Sequence, residues 1–163
     1  MILLPVTLTA ALQGQPVLGE WDAMFSLLTT DDLGFPTVCL LSRSELEADD
    51  RFVYATVTSS SATANLNRTG RATLSAVVGQ EALQVGLDVV EMRPLGRLLG
   101  LVMATQWVKC DSMSVDLAPP KFLPTRDLLA VERWDLSNYL LTVMKDEFSQ
   151  KKGARDANAD QPA

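Results

Sequence analysis

The stretch 56-TVTSSSATANLNRTGRATL-74 sets four hydroxyls, Thr58 to Ser61, where a β-rich run gives way to helix formers. Ahead of it, 51-RFVYATV-57 reads as a strand. Inside it, 62-ATANLNRTG-70 has helix formers and a Gly at its end, and 71-RATLSAVV-78 returns to a strand pattern. Two readings of the serines are open. A Ser at a helix start caps it, worth about 1 kcal/mol with no ligand present. The same helix start presents unpaired N–H groups and partial positive charge that attract phosphate, and flanking hydroxyls add donors.

Working outward, 23-AMFSLLTT-30 is a compact apolar run suited to a buried strand, and 37-TVCLLS-42 is a second one. Between them, DDLGFP is a turn: Asp31 and Asp32 bond locally, Gly34 supplies a positive φ, and Pro36 opens the next segment. The two runs therefore form a hairpin. Acidic 43-RSELEADD-50 reads as a solvated surface connection. Downstream, 82-ALQVGLDVVEM-92 is β-rich, with Gly86 marking a bulge or a sharp bend. In 98-LLGLVMATQWVKCDSMSV-115 the first half is compatible with a helix, while 104–115 alternates like a strand. Pro119, Pro120 and Pro124 force an extended passage. Apolar spacing then predicts a helix from Asp127 to about Phe148, broken near Ser137, after an N-terminal helix at Leu8–Gln13. The fold class expected is mainly β: a six-stranded antiparallel split barrel with short helices and a C-terminal helix. Residues 1–150 make one domain, and 151–163 make a polar, disordered tail.

Composition narrows the function. A chain of 163 residues with net charge −6 lacks the basic stripe of a phosphate-backbone reader, so no nucleic acid is expected. There is no histidine, which removes Ser-His-Asp and Cys-His catalysis and imidazole metal sites, and no metal is expected. Cys39 and Cys110 lie far apart and read as buried apolar residues of a reducing compartment. The N-terminus carries no basic residue before Arg43 and makes a poor signal peptide; Leu95–Ala104 holds Arg97 and is too short to span a bilayer. A cytoplasmic protein with no membrane partner is the expectation.

The order of elements, with 34-GFPTVCLL-41, 53-VYAT-56, Ser60, 65-NL-66, Arg68 and Arg71, resembles the pyridoxamine 5'-phosphate oxidase-like FMN-binding split-barrel family over about residues 20–116. The resemblance implies a homodimer holding FMN in a cleft between subunits. It implies a flavin ring beside Val38, Cys39, Leu40 and Thr56, and a phosphate at Ser60, Ser61 and Thr63, with Asn65 shaping the turn. Arg68 and Arg71 would add charge there if the fold turns them to the pocket, and Gln106 and Trp107 would reach the cleft from the partner subunit.

One departure stands out. Members of the family it resembles that hold FMN well usually carry a Lys or Arg between the positions of Ser60 and Asn65, where this chain has Ser61, Ala62, Thr63 and Ala64. Two functions follow as alternatives: a flavin-dependent reductase or oxidase of a small substrate, or a dimeric barrel without redox activity that binds another small ligand or has lost the flavin site. No histidine is present to hold a phosphorylated pyridine, so pyridoxamine phosphate oxidation is not expected.

Overall fold

The hairpin at the front of the chain forms as its turn residues dictate. Strands β2 (Phe25–Thr30) and β3 (Pro36–Leu41) pair antiparallel, Phe25 opposite Leu41 and Thr30 opposite Pro36. Asp31 holds the turn: its Oδ1 accepts the N–H groups of Leu33 (3.0 Å) and Phe35 (2.8 Å), and Gly34 sits at φ 88°. The computed structural model describes residues 2–159. Helix α1 (Val6–Ala11) and the two-residue strand β1 (Asp22–Ala23) precede this hairpin. It is followed by β4 (Leu46–Ala48), β5 (Phe52–Val57), α2 (Ser60–Thr69), β6 (Arg71–Val78), β7 (Glu81–Leu95) and β8 (Leu98–Ser112). The chain then makes β9 (Lys121–Phe122), α3 (Arg126–Glu132) and α4 (Trp134–Ala159).

Seven strands form one antiparallel sheet in the order β3-β2-β6-β7-β8-β5-β4, and β1 pairs with β9 apart from it. The edge strands β3 and β4 stand at opposite ends of that order, yet only residues 42–45 separate them in the chain. So short a connection reaches under about 20 Å, so the sheet has to curl until its edges approach. The fold is thus a mainly β split barrel. Its inner face carries Phe25, Leu27, Val53, Leu74, Val85, Leu101 and Met103, packed with Leu8 of α1, Leu12 just beyond it, and Ala62 and Leu66 of α2. A second core lies outside the sheet, where Phe52, Tyr54, Leu98 and Val102 pack under Leu140, Leu141 and Met144 of α4. Strand β5 is therefore buried on both faces.

The main sheet has one strand more than the six β segments expected, because β4 forms inside the acidic stretch read as a solvated connection. That stretch is folded. Glu45 is only 6% exposed and accepts the Ser42 N–H (2.8 Å) and hydroxyl (3.0 Å). Asp49 accepts from the N–H groups of Arg51 and Phe52 and from the Tyr54 hydroxyl. Local donors, invisible to composition, engage these carboxylates. Residues 98–103, compatible with a helix in sequence, are strand throughout, since β7 supplies backbone partners along their whole length. The C-terminal helical region breaks at Arg133 (φ 50°) rather than at Ser137, which lies inside α4. Helix α4 continues through 151–159, most of the stretch read as a tail; residues 160–163 lie outside the described residues. Cys39 is buried as expected but Cys110 is exposed, because β8 beyond Thr105 runs past the edge of the core.

Candidate functional site

The four hydroxyls of residues 58–61 divide their roles. Ser59 is the helix cap: its Oγ accepts the Ala62 N–H at 3.2 Å and lies 3.0 Å from the Ser61 Oγ. Ser60 and Ser61 open α2 and are exposed, and the helix itself supplies no acceptor for their backbone N–H groups. Thr63 is half-buried one turn on. The first turn holds no carboxylate, so its partial positive charge is unopposed locally.

Polar contacts fasten α2 along the β2–β3 hairpin. At its start, Ser59 lies beside the Cys39 thiol; burial pushes that thiol's pKa up, and the nearby Ser59 pulls it partly back. Midway, buried Asn65 donates from Nδ2 to the hydroxyls of Thr29 (3.1 Å) and Thr37 (3.3 Å). At the C-terminal end the Arg68 guanidinium donates to the Thr30 carbonyl. Asn65 and Arg68 are thus committed to the hairpin rather than to the Ser60 turn. The ten residues of α2 place its ends about 15 Å apart, so within one chain neither Arg68 nor Arg71 reaches the Ser60 hydroxyls. Of the two alanines in the segment where a cation was expected, Ala62 is fully buried and Ala64 is open to solvent.

Beside this turn runs an apolar edge. Val38 and Leu40 project from β3 to solvent, 52% and 58% exposed, while Cys39 between them points inward. Leu33 and Phe35 at the hairpin tip continue the exposed strip. Thr56 does not join it. By strand alternation it shares the face of Phe52 and Tyr54 under α4, and its buried Oγ1 has no partner among the described residues.

Three of the residues expected at a cofactor do come together elsewhere. Arg71, Gln106 and Trp107 line a trough of 460 Å³ on the outer face of the sheet, with Gly86 and Asp88. Arg71 pairs with Asp88 at 3.5 Å, both largely exposed. Trp107 stands opposite Gly86, and the register slips immediately after, so Gln106 is the bulged residue. A smaller hollow of 260 Å³, walled by Thr73, Ser75 and Gln84, shares Thr30 and Thr73 with the trough and extends it to Pro36 on β3. Thr73 and Ser75 were legible in sequence as the outward partners of Ala72, Leu74 and Ala76 in an alternating strand. The candidate residues thus fall into two groups joined across β2 and β6. Among the described residues no cluster of three or more metal-ligating side chains occurs, and no helix is long and apolar enough to cross a membrane.

No protein-family model matches the chain, and no curated protein matches it in sequence. Solved structures do resemble it. The flavin reductase SMOB of the styrene monooxygenase from Pseudomonas putida S12 is 10% identical, covers 72% of this chain and 92% of its own, and superposes with a TM-score of 0.52. A protein with a split barrel domain from Shewanella frigidimarina NCIMB 400 is 10% identical over 67% of this chain and 85% of its own, with a TM-score of 0.49. An FMN-binding protein from Syntrophomonas wolfei is 16% identical over 55% of this chain and 77% of its own, with a TM-score of 0.45. At such identities the likeness concerns architecture alone, and the chain shares the split-barrel fold.

Proposed function

We propose that this chain binds a flavin, FMN, along the edge made by β3 and the first turn of α2, as a homodimer, and serves as a flavin-dependent reductase or oxidase of a small substrate. The observation that carries the reading is a juxtaposition. Exposed Ser60 and Ser61 open a helix that Asn65 and Arg68 fasten along the β2–β3 hairpin, and the edge strand of that hairpin turns Val38 and Leu40 to solvent. A phosphate needs the first and a flat aromatic ring the second. The resemblance of the fold to a flavin reductase supports the same reading.

The residues fit the group through neutral donors. Ser60 and Ser61 would take the phosphate, Thr63 would flank it, and Val38 and Leu40 would form the floor for the ring. When bound, the flavin supplies the electron-accepting ring; the protein supplies binding, orientation and exclusion of water. A second subunit over the strip Leu33, Phe35, Val38 and Leu40 would cover that floor and bring Gln106 and Trp107 of the partner subunit to it, as exposed apolar strips of this kind call for a cover.

A second reading has its own observation. The turn from Thr58 to Asn67 contains no cation, and Arg68 is committed to Thr30. That pattern suits an uncharged ligand or a barrel without redox activity, since charge-assisted contacts are about twice as strong as neutral ones. The test is direct. Purified chain titrated with FMN should show saturable quenching of flavin fluorescence, a bound absorbance band near ~450 nm, and the solution mass of a dimer. A chain that stays colourless and leaves FMN and riboflavin fluorescence unchanged defeats the flavin reading.

A further inference from the structure

We infer that the protein has a separate binding site for a small organic anion with an aromatic body, in the cavity between the sheet and the C-terminal half of α4. It is independent of the flavin reading. The cavity measures 600 Å³, a size suited to a small organic ligand. Its floor and wall are apolar: Phe52 and Phe148 meet edge to face with centroids 4.8 Å apart, and Val90 and Ala104 complete the lining.

The rim is cationic. Arg51, Lys151, Lys152 and Arg155 line it against the carboxylates of Glu91 and Asp156, in a chain whose net charge is −6. Glu91 is already engaged by Arg93 at 2.9 Å and Lys151 at 3.1 Å. Among the described residues neither Lys152 nor Arg155 forms an ion pair. Lys152 instead stands 5.5 Å over the Phe52 ring, so charge is held at the boundary between apolar floor and water. A protein of this overall charge repels anions at long range, so concentrated unpaired cations beside an aromatic floor select for a ligand that offers both features. A carboxylate or sulfonate would meet Lys152 and Arg155, and its ring would replace water against Phe52, Phe148 and Val90.

The probe is 1-naphthalenesulfonate added to the ¹⁵N-labelled full chain, with neutral 1-naphthalenemethanol and inorganic sulfate as comparisons. Amide shifts should saturate and localise on Phe52, Val90, Ala104 and residues 148–156. The alcohol and sulfate should each bind at least about tenfold more weakly, because each offers half of the recognition. The double variant Lys152→Glu/Arg155→Glu, on exposed positions that leave the core intact, should lose at least about tenfold for the sulfonate and little for the alcohol. Val90→Trp, which fills the cavity from its half-exposed rim, should weaken both aromatics. Shifts that map elsewhere, equal binding of sulfonate and alcohol, or unchanged binding by the double variant each overturn the inference.

Discussion

The indole of Trp107 lies on the backbone of Gly86: a Cβ added at Gly86 would sit 2.0 Å from Nε1 and 2.2 Å from Cε2 of that ring. The two residues face each other across β7 and β8 just where the register slips. The glycine is therefore required by its neighbour rather than by its own dihedral angles, and Trp107 forms a flat wall of the outer trough. Gly86→Ala should push the indole outward and cost about 1–2 kcal/mol. In a Trp107→Ala background the same change should cost less than half as much. Urea midpoints for the four proteins of the cycle check this; additive effects would show that the indole is not what excludes a side chain.

Gly100 plays the corresponding part under α4. A Cβ there would meet the Met144 sulfur at 2.3 Å and Leu140 Cδ2 at 2.9 Å, both on buried side chains with nowhere to swing. Gly100→Ala should destabilise by about 1–3 kcal/mol, more than Gly86→Ala. Faster amide exchange should be confined to α4 and its contact with β5 and β8.

Glu45 predicts a pH dependence. Burial pushes its pKa up from 4.5 to about 7, against the lowering pull of the Ser42 hydrogen bonds and with a further push from Glu132. A carboxyl whose pKa is raised by folding stabilises the fold fully below about 4.5, and that contribution is lost as pH rises through about 7. The loss amounts to around 3 kcal/mol at one pKa unit per 1.4 kcal/mol. Stability measured by urea from pH 5 to 8 should fall more steeply in the parent than in Glu45→Gln. Parallel slopes would assign the fall to other groups.

Thr56 separates the packing role from a flavin role. Its hydroxyl is buried without a partner, so Thr56→Val should be neutral or raise stability by up to about 1 kcal/mol. Flavin affinity should stay unchanged, because the side chain shares the α4 side of β5. A marked loss of FMN binding in a folded Thr56→Val protein would put the ring beside β5 after all.

The Ser60 turn is tested by loss and by gain. Ser60→Ala/Ser61→Ala should weaken FMN by about 1–3 kcal/mol with little effect on folding, since Ser59 keeps the cap. Ala64→Lys, at the one exposed position of the pair, should tighten FMN by about 1–2 kcal/mol, shrinking as salt rises. Riboflavin, lacking the phosphate, should respond to neither. An equal gain for riboflavin would mean that no phosphate sits at this turn.

The sequence by itself determined those elements that rest on local signals, and not β4, the first half of β8 or the far end of α4. Asp31 and Gly34 specify a hairpin turn, Ser59 and Gly70 bracket α2, and the alternation of residues 71–76 assigns faces to β6. It also placed the hydroxyls at a helix start beside a strand, which is why the candidate turn was legible. Only the tertiary structure decided which donors are free. Asn65 and Arg68 look like ligands in one dimension, but β2 and β3 supply acceptors from residues 28 to 38 positions away, and a buried or edge-facing polar group takes the partner it can reach. Glu45 looked solvated because its protection comes from Ser42 and from burial that only the folded chain provides. The anion cavity had no sequence signal at all: Phe52 and Lys152 are a hundred residues apart, and meet only because α4 folds back over the outer face of β5.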